Sequence, residues 1–146
     1  MLRGIDPVLS AELLHALMLM GHGDDLVICD INHPAATIAR ATAFGRLISV
    51  TGCDIPTLAS AVLKLFPLDD FVPAPVKRMR DVHEPDRLHP VQAAMQRVVD
   101  EAQGRPVPIE PLERFAFYAA ARQAFAIVRT SDPGPYGCFI LRKGVI

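Results

Sequence analysis

A histidine between two glycines, Gly21-His22-Gly23, is followed at once by Asp24 and Asp25, and a further carboxylate, Asp30, stands after the apolar run Leu26-Val27-Ile28-Cys29. Histidine is the side chain whose ordinary titration lies near neutral pH, and flanking glycines leave its ring uncrowded, so His22 suits proton transfer. A carboxylate that ends a buried strand must find partners for its charge, which makes Asp30 a candidate ligand-binding group. The plainer alternatives are an exposed turn histidine and solvated or turn-forming aspartates at 24 and 25. In a regular strand His22 and Asp30 lie at opposite ends, about 17 Å apart at ~3.3 Å per residue. A shared pocket therefore requires a bent path or a neighbouring subunit.

Two further constellations carry chemistry. In Glu113-Arg114-Phe115-Ala116-Phe117-Tyr118 a helix would put Arg114 and Tyr118 on one face. A guanidinium beside a ring suits a sugar, whose C–H surface packs on aromatics while its hydroxyls accept charged donors. The competing reading makes Phe115 and Phe117 core and Tyr118 a core residue with a satisfied hydroxyl. Tyr136-Gly137-Cys138 enters the last strand after a proline-rich turn and says little alone. Other chemistries fit worse. His22, Cys29, His33 and the aspartates match no standard metal spacing. Gly21-His22-Gly23 lacks the third glycine of a dinucleotide fingerprint, no Walker lysine follows, and neither Cys29 nor Ser49 sits in a nucleophile elbow.

The elements that must position these residues follow from the apolar periods. Ser10 caps a helix over about 11–20 with a stripe of Leu13, Leu14, Leu17 and Met18, ended by Gly21. Leu26–Cys29 reads as a strand covered on both faces, and Pro34 interrupts any regular element after it. A short strand over 47–50 leads to a helix started by Asp54 and Pro56 and carried by Ile55, Leu58, Ala59, Val62 and Leu65. The segment 69–75 is loop, and 76–82 alternates as a third strand. Pro90 opens a helix to about Gln103 with Val91, Ala94, Met95, Val98 and Ala102 inward, stopped by Gly104. Three prolines in Arg105–Pro111 predict an extended connector, followed by a helix over 112–124 and strands over 125–129 and 139–142. This order predicts an α/β fold: one layered domain, residues 1–146, with a largely parallel central sheet flanked by helices.

Composition narrows the class. At 146 residues, 51% apolar and with formal net charge −1, the chain suits one soluble domain and offers no electrostatic case for nucleic acid or an anionic membrane. Lys77–Arg80 is a short basic spot of the kind that ends a solvated strand. No apolar run approaches the ~20 residues of a membrane helix, and the N-terminus does not read as a secretory signal. Three widely spaced cysteines form neither a disulfide framework nor a CxxC motif, so a reducing, cytoplasmic setting is expected.

The segments Met20-Gly21-His22-Gly23-Asp24, Ile55-Pro56, Lys64-Leu65-Phe66-Pro67-Leu68-Asp69, Glu113–Tyr118, Ala124–Val128, Tyr136-Gly137 and Ile140-Leu141-Arg142-Lys143-Gly144-Val145 together resemble the D-ribose pyranase / L-fucose mutarotase family, closer to its L-fucose branch. The resemblance covers almost the whole chain. It implies a catalytic histidine at His22, a sugar-binding carboxylate at Asp30, and substrate contacts from Arg114 and the Tyr136-Gly137 turn, with Asp69 and Tyr118 as further candidates. It also implies an α/β fold and homo-oligomeric rings, commonly decamers, with sites near subunit contacts. The chain departs from the family pattern in three places. Cys138 replaces a usual asparagine, so a sugar hydroxyl held there loses about 1 kcal/mol. Ile48-Ser49-Val50-Thr51 stands where arginine and aspartate are usual, and His33 where phenylalanine is.

The chemistry so implied is anomer interconversion of a free monosaccharide, L-fucose or a relative, needing neither metal nor cofactor. A base takes the anomeric hydroxyl proton, an acid protonates the ring oxygen, and rotation about C1–C2 precedes reclosure. His22 is expected as acid/base, Asp30 to orient the sugar or the imidazole, Arg114 to hold hydroxyls, and Tyr118 or Tyr136 to be the partner acid/base. Asp69, Gly137 and Cys138 complete the expected substrate contacts. A different class, a sugar-binding accessory protein without catalysis, predicts binding with no exchange between anomers. Metal-dependent isomerisation predicts loss of activity with a chelator.

Overall fold

The computed structural model describes residues 2–146. Six strands form one sheet: β1 (Asp25–Cys29), β2 (Leu47–Ser49), β3 (Val76–Met79), β4 (Ile109–Leu112), β5 (Ala126–Arg129) and β6 (Cys138–Arg142), in the order β2-β5-β1-β6-β3-β4. Five run in one direction, and β6 runs against both its neighbours, β1 and β3. The helices are α1 (Ala11–Leu19), α2 (Ala35–Ala39), α3 (Ile55–Leu63), α4 (Pro90–Gln103) and α5 (Arg114–Gln123). The expected α/β architecture with a mostly parallel sheet is present.

Because side chains alternate across a strand, β1 feeds two cores. Leu26 and Ile28 pack with residues of α1, α3 and α4, while Val27 and Cys29 pack with α2 and α5. All four are fully buried, which is why this strand is apolar without alternation. Ser10 Oγ accepts from Leu13 N and Asp54 Oδ1 from Thr57 N, so the caps read from sequence start α1 and α3.

The local differences have physical causes. Pro34 does not end regular structure; it stands at the start of α2, where its missing N–H costs nothing. Residues 109–112 form β4 rather than connector or helix. Pro111 is tolerated there because β4 is an edge strand paired only with β3, through Arg78 opposite Pro111. Glu113 then caps α5, its carboxylate accepting from Phe115 N and Ala116 N. β3 stops at Met79, short of residue 82. Met18 and Phe115, expected inside, are exposed, whereas Leu13, Leu17 and Phe117 are buried.

The chain just beyond β6 packs without room for a side chain. A Cβ on Gly144 would lie 2.5 Å from the carbonyl oxygen of Leu68 and 2.9 Å from Asp69 Cα. Both obstacles are backbone, so Gly144→Ala should destabilise the protein by about 3 kcal/mol and lower Tm by roughly 10 °C, as read by thermal denaturation.

Candidate functional site

Asp30 follows β1 directly and is buried. Its Oδ1 accepts from Asn32 N (2.8 Å) and His33 N (3.1 Å), a local turn that fixes the carboxylate against the sheet end. Burial raises its pKa, and these N–H bonds partly offset the rise. Gly137 packs on it so closely that a Cβ would meet Ile55 Cδ1 at 2.6 Å and Asp30 Cβ at 3.3 Å.

Above this carboxylate opens a cavity of about 230 Å³, lined by residues that include Asp30, His33, Arg114, Tyr118, Tyr136 and Cys138. Arg114 and Tyr118 come from the first two turns of α5, the shared helix face expected from their spacing. Two side-chain atoms in the wall are buried without a hydrogen-bond partner: His33 Nε2 and Arg114 Nε. Such orphans are expensive unless a ligand pairs them. His33 is 7% exposed, and burial lowers its pKa to about 4. Cys138 Sγ lies 3.3 Å from His33 Nδ1 and 3.5 Å from Asp30 Oδ2. Burial, then the Asp30 charge, pushes the thiol well up, so it stays protonated.

His33 thus links the site to stability. Its folded pKa lies below the ordinary 6.5, so the unfolded chain takes up the proton first. The stability present above pH 6.5 should therefore fall as pH drops toward 4. Urea denaturation of wild type and His33→Gln at pH 7 and pH 5 should show a smaller decline in the variant.

Tyr136 reaches the cavity by an unusual backbone, φ +57°. A second layer holds it there. Its ring stacks on His89 at 4.8 Å, its hydroxyl accepts from Val82 N (3.1 Å), and Gln92 Nε2 donates to its carbonyl (3.1 Å). His89 Nε2 in turn lies 2.8 Å from Asp81 Oδ2. With its hydroxyl engaged in this way, Tyr136 stands as a wall residue of the cavity. Asp81, His89 and Gln92 carried no signal in the sequence beyond a helix-start pattern at Pro90, because their meeting depends on long-range packing.

His22 lies elsewhere. The turn that carries it is bonded to the end of β6, Gly23 N to Lys143 O (2.8 Å) and Lys143 N to Asp24 O (2.9 Å). Lys143 Nζ donates to the α1 carbonyl of Leu17 and to Met20 O. His22 Nε2 pairs with Asp69 Oδ1 at 3.2 Å, and the imidazole ring meets Phe71 edge-on at 5.4 Å. The ring side is 46% exposed while Asp69 is 4% exposed. The Phe71 N–H and then His22 hold the Asp69 carboxyl below the usual range. A separate hollow borders His22, Leu65, Lys143 and Gly144 and shares no residue with the Asp30 cavity. Within one protomer, then, Asp30, Arg114, Tyr118, Tyr136, Gly137 and Cys138 assemble, and His22 and Asp69 form a second cluster at the other end of β1.

Among the described residues no group of three or more His, Cys, Asp or Glu is arranged to hold a metal ion, and no helix is long and apolar enough to cross a membrane.

A polar hollow at the carboxyl ends of parallel strands, walled by a carboxylate, a guanidinium and two tyrosines, lies where α/β proteins commonly hold small ligands. Residues 3–146 match the model of the RbsD / FucU transport protein family, and the chain belongs to that family. It is 41% identical over 148 residues to the fucose mutarotase of Homo sapiens, covering 99% of this chain and 94% of that one. To the L-fucose mutarotase of Glaesserella parasuis it is 38% identical over 145 residues, covering 99% and 96%. A crystal structure of the fucose mutarotase from Streptococcus pneumoniae in complex with L-fucose superimposes with TM-score 0.89 at 34% identity, covering 99% of each chain.

Proposed function

We propose that this protein is a monosaccharide mutarotase acting on L-fucose or a close relative, an isomerase working by acid–base ring opening. The observation that carries this reading is the convergence of Asp30, Arg114 and Tyr118 on one hollow, in a chain 41% identical along its length to a fucose mutarotase. Asp30 and Arg114 hold the sugar hydroxyls, and Tyr136, Gly137 and Cys138 shape the wall. One group removes the anomeric hydroxyl proton while another delivers a proton to the ring oxygen; the C1–O bond breaks, C1–C2 rotates, and reclosure returns both protons. His22 and Tyr118 are those two groups. Asp69 engages Nε2 of His22, which leaves Nδ1 for the substrate. No group is transferred and no oxidation state changes, so the reaction calls for no redox or group-carrying cofactor.

His22 enters the site from a neighbouring subunit. Around it Leu65, Phe71 and Val145 are exposed, and at the opposite end Ile31, Val82 and Phe115 are exposed. Apolar surfaces of this kind mark contacts. Two unlike patches at opposite ends of β1 mate head to tail, and such heterologous contacts close into rings. A pentameric ring, or two stacked as a decamer, working in the cytoplasm is the form we propose.

Saturation-transfer NMR on free L-fucose, D-ribose and D-galactose tests the reading. The protein should accelerate transfer between the α and β anomer signals of L-fucose well above buffer. Line broadening without faster exchange would instead make it a binding protein, and loss of exchange on adding a chelator would replace the acid–base scheme with a metal-dependent one.

A further inference from the structure

The cavity carries a buried polar atom without a partner that the scheme above does not use. His33 sits in the turn between β1 and α2 and is more than nine-tenths buried. Its ring is held edge-on by Phe117 at 5.8 Å and Tyr118 at 5.4 Å. It lines the cavity, and its Nε2 has no partner. We propose that His33 is a specificity-determining residue of the sugar site, its Nε2 accepting one hydroxyl of the bound monosaccharide.

The direction of that bond follows from the neighbours. Asp30 Oδ1 is occupied by two backbone N–H groups, while Oδ2 faces Cys138 Sγ at 3.5 Å. A thiol has one proton, and the carboxylate is the stronger acceptor for it. The sulfur then presents a lone pair to His33 Nδ1 at 3.3 Å, which places the imidazole proton on Nδ1 and leaves Nε2 bare. A bare ring nitrogen accepts and does not donate. The chain therefore runs from sugar O–H to Nε2, from Nδ1–H to Sγ, and from S–H to Asp30. The ligand class is a monosaccharide with a free hydroxyl opposite His33. A deoxy sugar lacking it leaves Nε2 unpaired and is discriminated against, as is a fluorinated one, because fluorine cannot donate.

This inference rests on the monosaccharide reading of the cavity, and the test separates the two. L-Galactose, of which L-fucose is the 6-deoxy form, is compared by calorimetric titration with its single-deoxy and single-deoxyfluoro derivatives at C2, C3, C4 and C6. At one ring position, deoxy and fluoro derivatives should both bind wild type about tenfold more weakly than the parent. In His33→Phe that loss should vanish at this position alone, with the others unchanged and thermal unfolding cooperative. Cys138→Ala frees the imidazole proton from its place on Nδ1, so fluorine should recover part of the lost affinity at the same position. An unchanged pattern in folded His33→Phe overturns the assignment. So does an equal loss for all sugars, which would mark a structural role, or wild-type binding of the fluoro derivative as tight as the parent. Failure of every sugar to bind wild type rejects the monosaccharide reading itself, and the inference with it.

Discussion

His22→Ala should slow L-fucose anomer exchange by about 10²–10⁴-fold, to near the rate in buffer, because it removes the proposed proton-transfer group. The fold should survive, since the ring is half exposed and its one side-chain hydrogen-bond partner is Asp69. Saturation-transfer NMR reads the rate and circular dichroism checks the fold; unchanged exchange in a folded variant would remove His22 from the reaction. Asp69→Asn keeps the shape but takes away the charge beside the imidazole. Its exchange rate should fall by less, about tenfold, because a neutral amide holds the imidazole by a weaker bond than a carboxylate does. Wild-type exchange in folded Asp69→Asn would take Asp69 out of the reaction.

Co-expression of His22→Ala with Tyr118→Phe should restore exchange that neither variant shows alone. In one protomer His22 and Tyr118 belong to clusters at opposite ends of β1. In the proposed head-to-tail ring a working site takes His22 from one subunit and Tyr118 from the next. In a randomly mixed ring about a quarter of head-to-tail contacts pair an intact His22 with an intact Tyr118. Roughly one quarter of wild-type exchange is therefore expected from the mixed oligomer, and none from a blend of the two separately purified rings that do not swap subunits. If mixed oligomers stay as inactive as their parents, the site is complete within one subunit and the head-to-tail arrangement is wrong.

The legible parts of the fold were those governed by local physics. Ser10 and Asp54 caps, the apolar run of β1 and the left-handed stop at Gly104 each depend on a few neighbouring residues, and the structure has them where the pattern places them. Residues 109–112 misled because Pro111 argues against a strand unless one knows that β4 is an edge, which only the strand order decides. Phe115 misled because a helical period identifies a face without saying how wide the covered stripe is; α5 buries Phe117 and Ala121 and leaves Phe115 out. At the site, Arg114 and Tyr118 were readable as a helix pair, and Asp30 as a strand-end carboxylate. His33 was visible as a departure from a family pattern, but its unpaired Nε2 was not.

By itself, then, the order of residues determined the α/β class, the ends of most elements and the identity of the polar groups at each end of β1. Tertiary structure alone decided which of them meet: Asp30, Cys138 and His33 lie more than a hundred residues apart in part and touch only because β6 pairs antiparallel with β1, Cys29 opposite Cys138. The reason is range. Caps and periods act over one or two helical turns, whereas a binding hollow is made by side chains whose closeness is the outcome of the whole sheet's register.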